Sequence, residues 1–138
     1  MKKLYASCLI LLTKDNKLIL QKRDSKKGLY YAGCWGLIGG AANDDEDARM
    51  CIERECYEET KWRLPFFRTL FTVREHCIET VFFSRVDSVD ALCCCEGEEL
   101  RAFGLDQLDQ LNISLYHKKI LDFYIKQFHT QLIEQKQL

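Results

Sequence analysis

The stretch GAANDDEDARMCIERECYEETKW, residues 40–62, contains the pattern that best indicates the fold of this chain. Its second part has the composition and spacing of an amphipathic helix, which we predict from about Glu46 to Thr60. Short polar side chains cap helices, and acidic groups are favoured at a helix N-terminus. The residues expected to begin this helix are therefore Asn43, Asp44 and Asp45.

The predicted helix has acidic residues on its apolar side. At about 100° per residue, its small and apolar side chains form one stripe that should face the interior. Glu55 and Glu59 fall within the same arc, and Glu58 lies at its edge. Residues three and four apart are neighbours on a helix, so these three carboxylates should gather in one place. The apolar stripe consists of Ala48, Cys51, Ile52 and Cys56.

Two interpretations of this acidic cluster are open. Carboxylates crowded on a half-buried face repel one another, which raises their pKa values or requires a compensating cation. Oxygen ligands suit Mg²⁺, with Mn²⁺ as the alternative, and such an ion can bridge phosphate oxygens and help to ionise water. The other interpretation is a solvated acidic helix face that forms salt bridges with Arg54 and Lys61.

The wider spacing resembles the Nudix box. That family pattern is Gly, five residues, Glu, seven residues, and then Arg-Glu-aliphatic-any-Glu-Glu-any-Gly-aliphatic. The segment from Gly40 to Trp62 has the first Gly, the Arg and all four Glu at these spacings, with Cys56 at the first aliphatic position. Lys61 stands where the family has the second Gly, a residue that leaves a helix easily with positive φ. We expect about 1 kcal/mol of backbone strain at Lys61, or a different helix exit, and no effect on the carboxylates.

The resemblance implies an enzyme in which water attacks a phosphorus atom of a nucleoside diphosphate linked to another group. It implies Mg²⁺ or Mn²⁺ as the cofactor. Carried over by position, Glu55, Glu58 and Glu59 would be both the catalytic glutamates and metal ligands. The carbonyl of Gly39 would be a further ligand.

The resemblance also implies roles for residues around these ligands. Arg54, counted with the catalytic residues, and Glu46 would hold the geometry of the loop and helix, with Arg54 bonded to a neighbouring carboxylate. Arg23, at the end of a predicted strand, and Gly40 would contact the substrate phosphate. The proton of the attacking water would go to one of the three box glutamates or to an acid on a later loop. The candidates on that loop are Glu96, Glu98 and Glu99.

Apolar runs outside the box predict a β-rich chain with a second helix at its end. The resemblance covers most of residues 4–125, although Ile38 and Ala102 stand where the family often has Pro and Trp. We expect an α+β fold of one domain over residues 1–138, with a mixed sheet sandwiched between the catalytic helix and a C-terminal helix. Strands are predicted at 4–13, 17–21, 66–74, 78–86 and 100–105, and a strand that runs into a tight turn is predicted at 34–42. A helical turn is predicted at 106–111 and a helix at 115–135.

Composition restricts the partners and the compartment. The formal net charge of −1 gives no reason to expect nucleic-acid or membrane binding. We expect a reduced, cytoplasmic protein, because no secretory signal or membrane-spanning run is visible. The eight cysteines lack the C-x-x-C spacing of structural zinc sites. Cys93, Cys94 and Cys95 are accordingly predicted to be small apolar residues in or near a strand.

The substrate is predicted only as a class. A nucleoside triphosphate that yields the monophosphate and pyrophosphate is the first expectation, and a nucleotide sugar or ADP-ribose is the second. Two non-enzymatic alternatives are a nucleotide-binding Nudix module without catalysis and a protein-interaction domain with an acidic helix. The protein would be a monomer or homodimer. Tyr30 and Tyr31 are candidates to stack on a base, whereas Trp35 is expected in the core.

Overall fold

The computed structural model describes residues 4–25 and 31–135, and within them seven strands form one mixed sheet. The strands are β1 (Tyr5–Thr13), β2 (Leu18–Lys22), β3 (Trp35–Gly36), β4 (Ile38–Ala41), β5 (Arg68–Arg74), β6 (Ile78–Val86) and β7 (Glu99–Phe103). Their order is β3-β2-β1-β6-β5, with β4 also paired to β1 and β7 to β2. The β1–β6 pair is parallel, and the other pairs are antiparallel.

Helices cover both faces of this sheet. Helix α1 (Ala48–Thr60) lies on one face, and α2 (Leu115–Tyr124) lies on the other. A π-helical segment at Ile125–His129 joins α2 to α3 (Thr130–Gln135) with helical backbone angles on both sides of it. Short 3₁₀ segments occupy Val89–Ala91 and Leu105–Gln110. The predicted sandwich of a mixed sheet between two helices is confirmed.

The side chains of β1 alternate between the two faces of the sheet, so this strand contributes to both hydrophobic cores. Successive side chains of a strand point to opposite faces. Leu9 and Leu11 pack with Ile52 and Cys56 of α1. Cys8, Ile10 and Leu12 pack on the other face with Ile120, Leu121 and Tyr124 of α2. No helix within 4–25 and 31–135 is long and apolar enough to cross a membrane.

The stretch 34–42 forms two short strands, whereas we predicted one strand that runs into a tight turn. β3 pairs with β2, whereas β4 pairs with β1, so the chain changes partner at Leu37. The N–H of Leu37 is then bonded to a side chain, because it donates to His117 Nδ1 at 3.0 Å. A tertiary contact from α2 therefore determines where the strand breaks.

Helix α1 begins two residues later than predicted, and its cap is a different residue. The Asp47 side chain accepts from the backbone N–H of Met50 at 2.8 Å, so Asp47 is the N-cap. Glu46 accepts from the backbone N–H of Asn43 at 2.8 Å and binds Arg54. Glu46 therefore stabilises the turn before the helix. Because Asp47 is the N-cap, the prediction that residues 43–45 cap the helix is wrong.

The three consecutive cysteines lie in a loop before β7, and all three side chains are exposed. The backbone N–H of Cys93 donates to Thr60 O at 2.9 Å, and that of Cys95 donates to Glu59 O at 3.0 Å. The loop is thereby attached to the last turn of α1. The expected packing of these side chains as small apolar residues is wrong.

Lys61 ends α1 in the left-handed conformation that the family pattern assigns to glycine. Its φ is 59° and its ψ is 14°, and its N–H donates to Tyr57 O at 2.9 Å. Of the two alternatives in the sequence, the strained conventional exit is therefore the one adopted. A Cβ in this region costs about 1 kcal/mol or more relative to glycine.

Replacing Lys61 by glycine should stabilise the protein. We expect Lys61→Gly to be about 1 kcal/mol more stable than Lys61→Ala, since both variants lose the long side chain and only alanine keeps the strained Cβ. Equilibrium denaturation in urea gives the free energy of unfolding of both. Equal stabilities would contradict the strain at this helix exit.

Glu79 on β6 is a buried carboxyl. It is 5% exposed, and Tyr116 Oη donates to its Oε1 at 2.9 Å. Burial raises the pKa of Glu79, and the hydrogen bonds from Tyr116 and Cys8 oppose this only in part. The folded protein therefore holds the proton of this carboxyl to higher pH than the unfolded chain does.

Protein stability should consequently fall as this carboxyl ionises. The folded state binds more protons than the unfolded state between the unfolded pKa of about 4.3 and the raised folded pKa, so rising pH lowers stability in that window. We expect Glu79→Gln to gain stability relative to the wild type between pH 4 and pH 8. Denaturation curves at both pH values test this, with Glu53→Gln on the exposed face of α1 as the control. A constant difference between Glu79→Gln and wild type would contradict the expectation.

Candidate active site

A polar cleft of about 630 Å³ opens beside the second half of α1. It lies where the end of β2, the strand β4 and the loop before β7 meet the helix. This position brings together parts of the chain that are up to 76 residues apart, from Gln21 to Gly97. The lining residues are Gln21, Arg23, Asp24, Gly39, Gly40, Glu59, Cys95, Glu96 and Gly97.

Gly39 brings the main chain of β4 into this cleft. Its φ is +147°, and a Cβ at this position would lie 2.2 Å from the carbonyl oxygen of Ser7 on β1. No other residue type fits such a close approach of two strands. The N–H of Gly39 donates to Glu59 Oε2 at 3.1 Å. The residue that packs against β1 therefore also contacts α1.

Glu59 is a buried carboxyl at the base of the cleft. It is 2% exposed, and its carboxylate accepts a hydrogen bond from the backbone N–H of Gly39. Burial, together with the nearby charges of Glu55 and Glu96, raises the pKa of Glu59 to about 9. A solvated acidic helix face does not describe this side chain. The arrangement instead makes the cleft a place where a positive charge would be stabilised.

The three box glutamates do not share one environment. The side chain of Glu55 is 15% exposed, whereas that of Glu58 is 49% exposed. Gly40 passes close to Glu55, because a Cβ on that glycine would lie 2.6 Å from Glu55 Oε1. Helix α1 thus presents a gradient from the buried Glu59 to the exposed Glu58, as the sequence predicted from their angular positions.

Arg54 connects the loop before α1 to the box glutamates. Its Nε and Nη2 donate to the two carboxylate oxygens of Glu46 at 2.7 and 2.9 Å. Its Nη1 lies 3.0 Å from an oxygen of Glu55 and 3.0 Å from one of Glu58. Nη2 also donates to the carbonyl of Ala41 at 3.0 Å. One guanidinium therefore ties together the end of β4, the following turn and two turns of α1.

Because of these contacts with Arg54, the carboxylates of Glu55, Glu58 and Glu59 are not arranged as the ligands of one cation. Within residues 4–25 and 31–135, no three acidic, histidine or cysteine side chains have the geometry to hold a metal ion. Glu55 and Glu58 are drawn to the Arg54 guanidinium instead. To ligate a cation together with Glu59, they would have to turn away from Arg54.

Of the three acids on the later loop, only Glu96 faces the cleft. Burial raises its pKa, and so do the neighbouring carboxylates of Glu55 and Glu58. The side-chain amide of Gln21 donates to the carbonyl of Glu96 at 3.0 Å and fixes the loop there. Gln21 was not identified from the sequence, where it is one polar residue at the end of an apolar strand.

Glu98 and Glu99 are engaged elsewhere. Glu98 accepts from the backbone N–H of Ser25 at 2.7 Å and lies 3.8 Å from Lys22 Nζ. Glu99 binds the guanidinium of Arg101. The sequence could not separate these three acids, because their difference comes from contacts with residues far away in the chain.

The remaining candidate residues lie in three places: the cleft, the hydrophobic core and a separate pocket. Arg23 lines the cleft just beyond β2, and its N–H donates to Cys34 O at 2.9 Å. Trp35 is in the core as predicted, 4.9 Å from the ring of Phe103 in an edge-to-face contact. Tyr31 lines a hollow of about 260 Å³ beside α2 and not the cleft, and Tyr30 lies outside the described residues.

His117 and His129 have packing roles. His117 accepts the hydrogen bond from Leu37, and burial together with the charge of Arg23 lowers its pKa to about 4. Gly36 makes room for this ring, since a Cβ there would lie 2.6 Å from His117 Nδ1. His129 Nδ1 lies 2.8 Å from Tyr124 Oη in the interior. His76 is exposed.

Solved structures with the same fold include several Nudix proteins. The Nudix domain of Shewanella oneidensis NrtR, complexed with ADP ribose, is 19% identical, with a TM-score of 0.73 and coverage of 88% of this chain and 86% of that one. A MutT Nudix hydrolase from Burkholderia pseudomallei is 26% identical, with a TM-score of 0.73 and coverage of 88% and 98%. A MutT protein from Methanosarcina mazei Go1 is 18% identical, with a TM-score of 0.72 and coverage of 91% and 96%.

The sequence itself matches the model of the Nudix domain over residues 1–124. No curated protein matches the chain at a significant level. The domain match includes the complete box, the cleft beside it and α2. The chain therefore belongs to the Nudix family.

Proposed function

We propose that this protein hydrolyses the pyrophosphate linkage of a nucleoside triphosphate to the monophosphate and pyrophosphate, in the cleft beside α1. The observation that carries the proposal is the burial of Glu59 against the Gly39 peptide, with Glu55 and Glu96 close by. A buried carboxyl with acidic neighbours is costly for folding, and a cationic ligand would offset that cost. A protein-interaction helix would have no such need on its inward side.

The donor set of the cleft fits Mg²⁺ or Mn²⁺. The carboxylates of Glu55, Glu58 and Glu59, together with the Gly39 carbonyl, supply the hard oxygen ligands that these ions prefer. When bound, the ion would neutralise phosphate charge and make water more acidic. The raised pKa of Glu59 supports this assignment, because a cation would allow that carboxyl to ionise.

The chain's own residues would position the substrate and accept the proton of water. Arg23, at the rim of the cleft, would bind a substrate phosphate, and the backbone at Gly40 would lie beside it. Glu96 faces the same space and would accept the proton. Arg54 and Glu46 would keep α1 and the preceding turn in register, as their bidentate contact suggests.

The second candidate substrate class is ADP-ribose or a nucleotide sugar. It is favoured by one relative of the same fold, the NrtR Nudix domain, whose structure contains ADP ribose. Both classes present a nucleoside diphosphate to the cleft and differ in what lies beyond it. A panel of nucleoside triphosphates, ADP-ribose and nucleotide sugars, with products separated by chromatography, distinguishes the two.

Loss of a box carboxylate should abolish hydrolysis. We expect Glu59→Gln and Glu58→Gln each to lower kcat/KM by at least about 100-fold, or about 2.7 kcal/mol, because each removes a negatively charged oxygen ligand. Activity should require added Mg²⁺ or Mn²⁺ and disappear with EDTA. The measurement is nucleoside monophosphate release with the best substrate of the panel.

The matched control for these variants is Glu53→Gln. Glu53 is an exposed glutamate on the opposite face of α1. Its replacement removes the same negative charge from the same helix and leaves the cleft unchanged. It should retain nearly full activity. Tight nucleotide binding without turnover in the wild type would instead support a non-catalytic binding module.

Among the acids of the later loop, only Glu96 should matter for turnover. We expect Glu96→Gln to lower kcat by about 100- to 10,000-fold, the range for loss of a general base, with a smaller change in KM. Glu98→Gln should stay within a few-fold of wild type, since Glu98 contacts Ser25 and Lys22 and not the cleft. The reverse order in steady-state kinetics would assign the base to a different acid.

A further inference from the structure

One buried amide side chain lies between the sheet and the loop before β7. Gln21 is on β2 and is 7% exposed. Alternate residues of a strand face the same side of the sheet, and Ile19, two residues earlier, packs with Ile52 of α1. Gln21 therefore occupies the position at which that apolar row reaches the cleft, and it lines the cleft. A buried polar side chain is costly at such a position unless it is hydrogen-bonded.

The hydrogen bond of this amide goes to the residue proposed as the base. Gln21 Nε2 donates to Glu96 O at 3.0 Å. The next residue of the loop packs against the same strand, because a Cβ on Gly97 would lie 2.5 Å from Lys22 O and 3.2 Å from Gln21 Cγ. With a φ of +74°, this glycine allows the loop to approach β2 closely. The loop is therefore in direct contact with the Gln21 side chain.

The main chain is held on both sides of Glu96. Before it, the N–H of Cys95 donates to a carbonyl in the last turn of α1 at 3.0 Å. After it, the N–H of Glu98 donates to Lys22 O at 2.8 Å. The Gln21 amide binds the carbonyl that lies between these two points. Because these bonds orient the peptides that flank Glu96, they determine the direction in which its carboxylate points.

A second side chain reaches the same carbonyl but is a weaker donor. Cys94 Sγ lies 3.4 Å from Glu96 O, and thiols form only weak hydrogen bonds. Within residues 4–25 and 31–135, Gln21 is therefore the stronger side-chain donor to this carbonyl. The neighbouring strand residue, Lys22, contacts the loop at Glu98, with its Nζ 3.8 Å from the carboxylate.

We propose that Gln21 is a positioning residue, whose amide holds Glu96 where its carboxylate can take the proton of the attacking water. This inference rests on the proposed function, in which Glu96 is the general base. As the water oxygen attacks phosphorus, its proton passes to the Glu96 carboxylate, and the Gln21 amide keeps both of its own protons. Gln21 acts through Glu96 and not through a contact with the substrate.

The first test replaces Gln21 by methionine, a side chain of similar length without a donor. We expect Gln21→Met to lower kcat about 10- to 100-fold, because a misplacement of about 1 Å in a catalytic group can cost about 100-fold. KM should change by less than about threefold, since the groups that bind the substrate are unaltered. The measurement is steady-state release of nucleoside monophosphate from the best substrate of the panel.

The decisive comparison repeats this change in the Glu96→Gln variant, with single turnovers measured at excess enzyme. If Gln21 acts through Glu96, Gln21→Met should lower the rate by less than about threefold once the base is absent. The same 10- to 100-fold loss in both backgrounds would overturn the proposal, since Gln21 would then act on the fold or on the substrate. A higher KM with unchanged kcat would overturn it too.

Two matched variants remove other contacts of the same loop. Cys94→Ala removes the weaker donor to Glu96 O, and Lys22→Met removes the contact with Glu98. Both should keep kcat within a few-fold of wild type. A loss of kcat in either variant as large as that of Gln21→Met would contradict a specific role for the amide.

A second variant tests the contact from the loop side. Gly97→Ala places a Cβ against the carbonyl of Lys22, so the loop must move away from β2. It should lower kcat like Gln21→Met and, like it, have little effect once Glu96 is replaced. Urea denaturation shows which variants are folded, and a folded Gly97→Ala with wild-type kcat would overturn the proposal.

A wild-type protein that hydrolyses nothing counts against the proposed function and leaves the position of the loop to be measured directly. Hydrogen exchange of the Cys95 and Glu98 amides, followed by NMR, reports how firmly the loop is held. We expect exchange to be about fivefold faster or more in Gln21→Met, because one hydrogen bond is lost, and unchanged in Lys22→Met. Equal exchange in Gln21→Met and wild type would overturn the positioning role.

Discussion

The close approach of Gly39 to β1 is the constraint on which the rest of this site depends. Only a residue without a side chain can lie where a Cβ would be 2.2 Å from Ser7 O. That approach places a backbone N–H of β4 in contact with Glu59 at 3.1 Å. The sheet therefore supplies the helix with a polar partner at the point where its side is otherwise apolar. A carboxyl can be buried there because the main chain meets it.

Arg54 gives this arrangement its second support. One guanidinium binds Glu46 in bidentate fashion and also reaches Glu55, Glu58 and the carbonyl of Ala41. Charge-assisted bonds of this geometry are among the strongest polar contacts in proteins. They hold the loop before α1 without requiring the loop to be helical. They also draw Glu55 and Glu58 toward an arginine, whereas Glu59 is buried on the inward side of α1.

The loop before β7 completes the cleft from a distant part of the chain. Its attachment to the last turn of α1 through the backbone of Cys93 and Cys95 brings Glu96 toward the box glutamates. The same attachment brings a thiol into the cleft. The position of the loop follows from main-chain hydrogen bonds, so it does not depend on the side chains of the cysteines. This is why a run of three cysteines could be exposed in a loop although its composition suggested a strand.

The sequence by itself determined the family, the sandwich of one mixed sheet between two helices, and the inward face of α1 that bears Glu55 and Glu59. The inward face of α1 follows from periodicity, whereas the family and the sandwich are what the resemblance to the Nudix box implies. Periodicity and the spacing of the box are both local properties of the chain. Only the tertiary structure decided that Glu96, and not Glu98 or Glu99, faces the cleft, that β3 and β4 separate at Leu37, and that Asp47 caps α1. Each of these features depends on a hydrogen bond or ion pair with a residue that is distant in the sequence or lies in a loop. The residue pattern does not indicate which of several similar side chains will form that contact.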